Sequence, residues 1–122
     1  MLSWATMLYG AALSAVLTAV LVALAVRPRR AGVIAVAAAS AFAGPLAWNA
    51  ILRAAHGDQF FTDAPIAVMP ASWQDAGSGV FTIALAAVAL GLGPQATAPG
   101  RRLAGTATLA GLAAFVVDVY LY

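Results

Sequence analysis

The chain has 122 residues, 64% of them hydrophobic and only 8% charged, with a formal net charge of +2. Soluble domains carry about 25% charged residues, so this composition is typical of a membrane protein and excludes an ordinary soluble enzyme or nucleic-acid-binding domain. The sequence contains no cysteine, which excludes disulfides, thiolate metal sites and a cysteine nucleophile.

Four apolar runs follow one another along the chain, and each is long enough to cross about 30 Å of hydrocarbon as a helix. They predict transmembrane helices at about 3–26, 31–53, 72–93 and 102–122. Apolar and polar residues do not alternate within the runs, so transmembrane strands are not indicated. The sequence therefore predicts a single all-α domain over 1–122, a four-helix transmembrane bundle with a long, ordered outer loop at about 54–71.

The first two helices carry small residues spaced four apart, which places them on one face of each helix. In the first helix these residues are Thr6, Gly10, Ser14 and Thr18, and in the second they are Ser40 and Gly44. Pro45 follows directly and predicts a kink. Small residues let helices approach closely in a membrane. The two faces are therefore predicted to pack within the bundle or, alternatively, against another protein.

Polar side chains gather where the second helix ends and near the end of the fourth. Asn49, Arg53 and His56 share one face of the second helix. At a rise of about 1.5 Å per residue, Asn49 lies near the depth of Asp118 in the fourth helix, and Arg53 lies farther out, but its long side chain leans inward and can cover much of the gap. A charge near hydrocarbon needs a partner, so we predict a clasp between Asp118 and Arg53, with Asn49 as the second choice. The same residues could instead form a ligand site, or Asp118 could be solvated at the interface.

The loop between the second and third helices is long for a connection in a bundle, and long ordered loops are often functional. Its apolar residues predict that it folds over the end of the bundle, either as a simple plug or as a contact surface. At the start of the third helix, Ser72 and Asp75 resemble a capping box, and Asp63 is predicted to cap a further short helical turn. The residues predicted to contact a ligand or partner are His56, Asp58, Phe60, Phe61, Asp63, Trp73 and Asp75.

Metal and cofactor sites receive little support from the sequence. His56, Asp58 and Asp63 are weak candidates for a hard divalent ion, because their spacing matches no known motif. The single histidine of the chain cannot supply both axial ligands of a haem. We predict no catalytic residue and no cofactor, and we expect lipid contacts.

The arginines predict the orientation of the chain. Five of the six flank the two short connections, and none of the aspartates does, so the positive-inside rule puts those connections in the cytoplasm. Both termini and the long loop then lie outside. Ala, Gly and Arg are abundant and Lys is absent, which indicates a GC-rich bacterial genome and hence a multi-pass protein of the bacterial cytoplasmic membrane. The aromatic residues that fall near the outer interface in this orientation are Trp4, Trp48, Trp73, Tyr120 and Tyr122.

Three functional hypotheses remain. The first is a non-catalytic accessory or interaction subunit of a larger membrane complex, since the chain has small-residue faces, minimal aqueous regions and an aromatic outer loop. The second is a small homo-oligomeric, dimeric transporter or channel, although such proteins tend to place an acidic residue in mid-membrane. The third is a membrane enzyme or cofactor binder that uses the outer loop. The expected partners are membrane lipids and other membrane subunits or further copies of the chain, and no nucleic acid.

Overall fold

A computed structural model describes residues 2–121 and confirms the predicted all-α transmembrane bundle. Four of its helices are long and apolar enough to cross a membrane. Tyr122, predicted to lie at the interface, is outside the described residues. The helices are α1 (Trp4–Ala25), α2 (Ala31–Ala54), a short 3-10 helix (Asp58–Phe61), α3 (Trp73–Leu92) and α4 (Gly100–Tyr120).

Side-chain hydrogen bonds fix the start of α3 and the end of α1. The predicted capping box of α3 is confirmed: Ser72 Oγ accepts from the Asp75 amide at 3.3 Å, and the Asp75 carboxylate accepts from the Ser72 amide at 2.8 Å. At the end of α1, Arg29 Nε donates to the carbonyl oxygen of Ala23 at 2.9 Å. Each bond engages a backbone group that has no partner within its helix.

Successive helices pack side by side, and α1 also packs against α4, which closes the bundle; α2 and α4 touch across its centre. Short connections at 26–30 and 93–99 make neighbouring helices antiparallel. One end of the bundle therefore holds both short connections and the start of α4, and we refer to it as the arginine end. The other, the loop end, holds residues 55–72, the start of α1 and the end of α4.

The helices approach so closely that side chains are excluded at some contacts. A Cβ atom on Gly44 of α2 would lie 2.7 Å from the backbone nitrogen of Thr82 in α3. A Cβ atom on Gly111 of α4 would lie 2.9 Å from the carbonyl oxygen of Gly79 in α3. The predicted small-residue faces lie in this interior, with Thr6 only partly buried and with Gly10, Ser14, Thr18, Ser40 and Gly44 buried.

We predict that Gly44→Ala lowers the stability of the bundle by about 1–3 kcal/mol, because the backbone of Thr82 cannot move aside without separating α2 from α3. Gly105→Ala is the matched control, since a Cβ atom there meets nothing within 4 Å. The control should be neutral or stabilising by up to about 1 kcal/mol, from helix propensity alone. Thermal unfolding in detergent measures both, and equal effects would contradict the close contact.

Candidate functional site at the loop end

Buried polar side chains from three helices meet at the loop end. Asn49 of α2, Gln74 of α3 and Asp118 of α4 are only 2%, 4% and 3% exposed. The Nε2 atom of Gln74 donates to Asn49 Oδ1 at 2.9 Å and to Asp118 Oδ2 at 3.0 Å. Ser78 Oγ is a longer third contact at 3.4 Å. An amide nitrogen carries two protons, so the two short bonds use both of them. We refer to these four residues as the Gln74 cluster.

The capping box positions Gln74, because it fixes where α3 begins. The residue just before it, Trp73, is exposed, whereas Gln74 turns into the bundle. The indole Nε1 of Trp48 donates to the carbonyl oxygen of Gln74 at 2.9 Å. The Trp48 ring fits against α3 at Gly77, where a Cβ atom would collide with the indole. Two residues of α2 thus hold Gln74 in place: Trp48 bonds to the Gln74 backbone carbonyl and Asn49 to the Gln74 side chain.

A hydrogen bond within α2 orients Asn49 for the same cluster. α2 continues through Pro45, and Asn49 Nδ2 donates to the Pro45 carbonyl oxygen at 2.8 Å. This bond orients the Asn49 amide so that its oxygen faces Gln74. Both ends of the Asn49 side chain are therefore hydrogen-bonded, as a buried amide requires.

Arg53 lies apart from the cluster, although the sequence favoured it as the partner of Asp118. Its Nη1 atom donates to the carbonyl oxygen of Leu2 at 2.9 Å, and its guanidinium lies 5.5 Å from the centroid of the Trp4 ring. The structure therefore attaches Arg53 to the start of α1. Asn49, the second predicted partner, is linked to Asp118 through Gln74. The sequence analysis did not predict a role for Gln74, because it considered this residue only as a position between Ser72 and Asp75 of the capping box.

The first part of the long loop packs on the bundle as predicted. It forms the 3-10 helix Asp58–Phe61, whose Phe60 and Phe61 side chains are half-buried. The Phe60 ring meets the Trp48 ring edge-on, with centroids 5.9 Å apart. The helical turn that Asp63 was predicted to cap is not formed, because the short helix lies before Asp63 and residues 64–69 after it are not helical.

The second part of the loop, residues 64–71, is a closed turn that we name the loop tip. Its base is closed by a hydrogen bond of 2.8 Å from the Ala64 amide to the Ala71 carbonyl oxygen. The Tyr120 hydroxyl of α4 donates to the Val68 carbonyl oxygen at 2.6 Å. Val68 is nevertheless 81% exposed, and Ile66 and Met69 are exposed beside it. Of the two predicted roles of the loop, a plug and a contact surface, the exposed tip fits the contact surface.

The polar residues predicted for a ligand or metal have separate structural positions. His56 adopts a positive φ of 55° just after α2, where the Gly57 amide donates to the Leu52 carbonyl oxygen at 2.9 Å and closes the helix. Asp58 and Asp63 are exposed, and Asp75 serves the capping box. Within residues 2–121, no group of three or more histidine and acidic residues is placed to hold a metal ion, so these weak candidates are not gathered into a centre.

A small cavity of about 150 Å³ adjoins the Gln74 cluster. The carboxylates of Asp63, Asp75 and Asp118 line it together with Gln74 and the half-buried Phe61. Two of these carboxylates already accept hydrogen bonds, Asp75 from Ser72 and Asp118 from Gln74. Since one water occupies about 30 Å³ in the liquid, the space suits only a few waters or a very small polar ligand.

The fold defines a small multi-pass membrane protein. Comparison of the chain with protein families, curated proteins and solved structures gave no significant match. Its function must therefore be argued from the geometry of the bundle and of its two ends.

We predict that Gln74→Ala destabilises the protein by about 1–3 kcal/mol, because it deprives buried acceptors on α2 and α4 of their donor. Gln59→Ala is the matched control, since Gln59 is exposed in the 3-10 helix. A cycle with Asn49→Ala, followed by thermal unfolding, should give non-additive losses for the Gln74 and Asn49 pair. Additive losses of stability, or equal losses for the Gln59 and Gln74 variants, would mean that the hydrogen bonds of Gln74 do not hold the helices together.

Proposed function

We propose that the protein is a non-catalytic interaction subunit of a larger membrane complex, and that its loop tip contacts the partner. The exposed apolar side chains of Ile66, Val68 and Met69 carry this proposal. An exposed apolar cluster commonly marks a contact with a protein or a membrane. The tip is held in one shape by its own base and by Tyr120, so it presents these side chains as a fixed surface.

A groove between α3 and α4 supports a partner that is itself a transmembrane helix. The groove has a volume of about 220 Å³, and Gly79 and Gly111 are among its lining residues. It shares Ala76 and Phe115 with a second cavity of about 380 Å³ at the base of the loop tip. The two form one continuous depression from the helix face to the tip. Small residues allow a partner helix to lie close to the backbone there.

The Gln74 cluster supports a structural rather than a catalytic role for the polar loop end. Its amide groups bond to one another, to a helix carbonyl and to Asp118, so they join helices. Asp75 is likewise engaged at the start of α3. The exposed apolar side chains of the loop tip therefore remain the best candidates for recognition at this end, and they suit contact with another membrane protein.

A small homo-oligomeric transporter or channel is the second candidate, favoured by buried hydroxyl groups in the helices. The Oγ1 atoms of Thr18 in α1 and Thr82 in α3 have no hydrogen-bond partner among residues 2–121. Polar groups inside a membrane domain are costly and often belong to a transport path. In this case the depression along α3 and α4 would receive a second copy of the chain.

Photo-crosslinking in native membranes tests the proposal. We predict that a photoreactive residue at Val68 in the tip, or at Leu112 in the groove, crosslinks to the same partner protein, because one depression joins the two positions. Val16 is the matched control, since it is an exposed apolar residue of α1 that lines neither cavity. Adducts of two copies of this chain would favour the transporter. Lipid adducts alone at Val68 and Leu112 would contradict the interaction subunit.

We further propose that the arginine end is cytoplasmic and that both termini lie outside, as the positive-inside rule indicates. The chain has no cysteine, so single substitutions report on one position each. An impermeant maleimide should label Gln59→Cys in intact spheroplasts, and should label Ala96→Cys only after permeabilisation; both positions are exposed. The reverse pattern would invert the topology.

A further inference from the structure

A groove at the arginine end lies between the end of α1 and the start of α4. It has a volume of about 540 Å³. Arg27, Arg101 and Arg102 line it, and Val26 and Leu109 add apolar surface. A cationic rim thus adjoins an apolar wall that continues along a membrane-spanning helix.

The positive charge of this groove is not neutralised by the protein. All four aspartates lie in residues assigned to the loop end, at Asp58, Asp63, Asp75 and Asp118. Within residues 2–121, the guanidinium groups of Arg27, Arg101 and Arg102 take part in no hydrogen bond or ion pair. By contrast, Arg29 and Arg53 each donate to a backbone carbonyl oxygen. The three groove arginines therefore keep their full donor capacity for an anion.

The start of α4 adds to the same positive field. Its N-cap residue is Pro99, which makes no side-chain hydrogen bond to the first turn, and the first turn contains no acidic residue. The positive end of the helix dipole is therefore uncompensated next to Arg101 and Arg102. A helix start of this kind attracts anionic groups, and here it reinforces the arginines that line the groove.

We infer that this groove binds one anionic phospholipid, with the phosphate among the three arginines and an acyl chain along Gly105 and Leu109. Guanidinium groups bind phosphate oxygens through paired hydrogen bonds. Gly105 is exposed, and a Cβ atom there would meet nothing within 4 Å, so its position leaves room beside α4 for an acyl chain. A soluble anion would use the arginines but not the apolar wall. Charge and apolar surface together therefore specify a lipid, whichever partner the loop end binds.

Titration of the purified full-length chain in mild detergent tests this site. Phosphatidylglycerol, phosphatidylcholine with the same acyl chains, and glycerol 3-phosphate are added separately, and bound lipid is counted by native mass spectrometry. We expect saturable binding of one phosphatidylglycerol, with neither phosphatidylcholine nor glycerol 3-phosphate reproducing it. Arg101→Gln with Arg102→Gln should weaken this binding about tenfold or more, given about 1 kcal/mol per arginine near an anionic surface.

Three further variants separate the groove from general charge attraction. Arg30→Gln removes one charge at the same end but outside the groove, and it should bind phosphatidylglycerol like the unmodified chain, whereas Arg102→Gln removes one charge inside the groove and should weaken binding. Gly105→Leu leaves the charge unchanged and fills the groove, so it should weaken binding while circular dichroism shows an intact helical fold. The inference fails if Arg30→Gln weakens binding as much as Arg102→Gln, if Gly105→Leu binds normally, or if glycerol 3-phosphate competes as well as the lipid.

Discussion

The two short hydrogen bonds donated by the Gln74 amide join three of the four helices at a single atom. A buried polar group is costly unless it is hydrogen-bonded, and these two bonds give the Gln74 amide partners on α2 and α4. The position of Gln74 therefore constrains the ends of α2 and α4 as well as the start of α3. Trp48 and the capping box fix Gln74 in turn, and the beginning of the long loop packs on Trp48. The arrangement of the loop end follows from this one side chain.

Close backbone contact holds the rest of the bundle, because lipid offers helices no hydrophobic gain for associating. The contact of Gly44 with Thr82 joins α2 to α3, and that of Gly79 with Gly111 joins α3 to α4. The second pair has a consequence outside the bundle as well. Where two glycines meet, the helices leave a shallow depression on their outer side, and this is the groove that continues to the loop tip. Internal packing and the proposed contact surface thus share the same residues.

The features that the sequence predicts correctly depend on local pattern. The four spans follow from the length of the apolar runs, and the capping box follows from residues three apart. The partner of Asp118 could not be found this way, because it depends on how α2 and α3 are rotated about their axes. The charge and the reach of a long side chain favoured Arg53 as the partner, whereas its guanidinium lies beside the Trp4 ring. Gln74 did carry a signal, as an uncharged polar residue at the start of an apolar run and at the depth of Asn49.

The apolar content of the loop left two roles open, a plug on the bundle and a contact surface, because it does not say which residues find neighbours in the same chain. Phe60 and Phe61 are half-buried because they have Trp48 and α3 beside them. Val68 is exposed, while the Ala64–Ala71 bond and the bond from Tyr120 hold the tip in one shape beside the end of α4. The two ends of the protein therefore differ in what they expose: the loop end buries the amide groups of the Gln74 cluster and exposes an apolar tip beside charged residues, whereas the arginine end exposes the three guanidinium groups of its groove, which make no hydrogen bond within residues 2–121. Dissolved salt should therefore weaken contacts made by the arginine end and hardly change apolar contacts made by the loop tip.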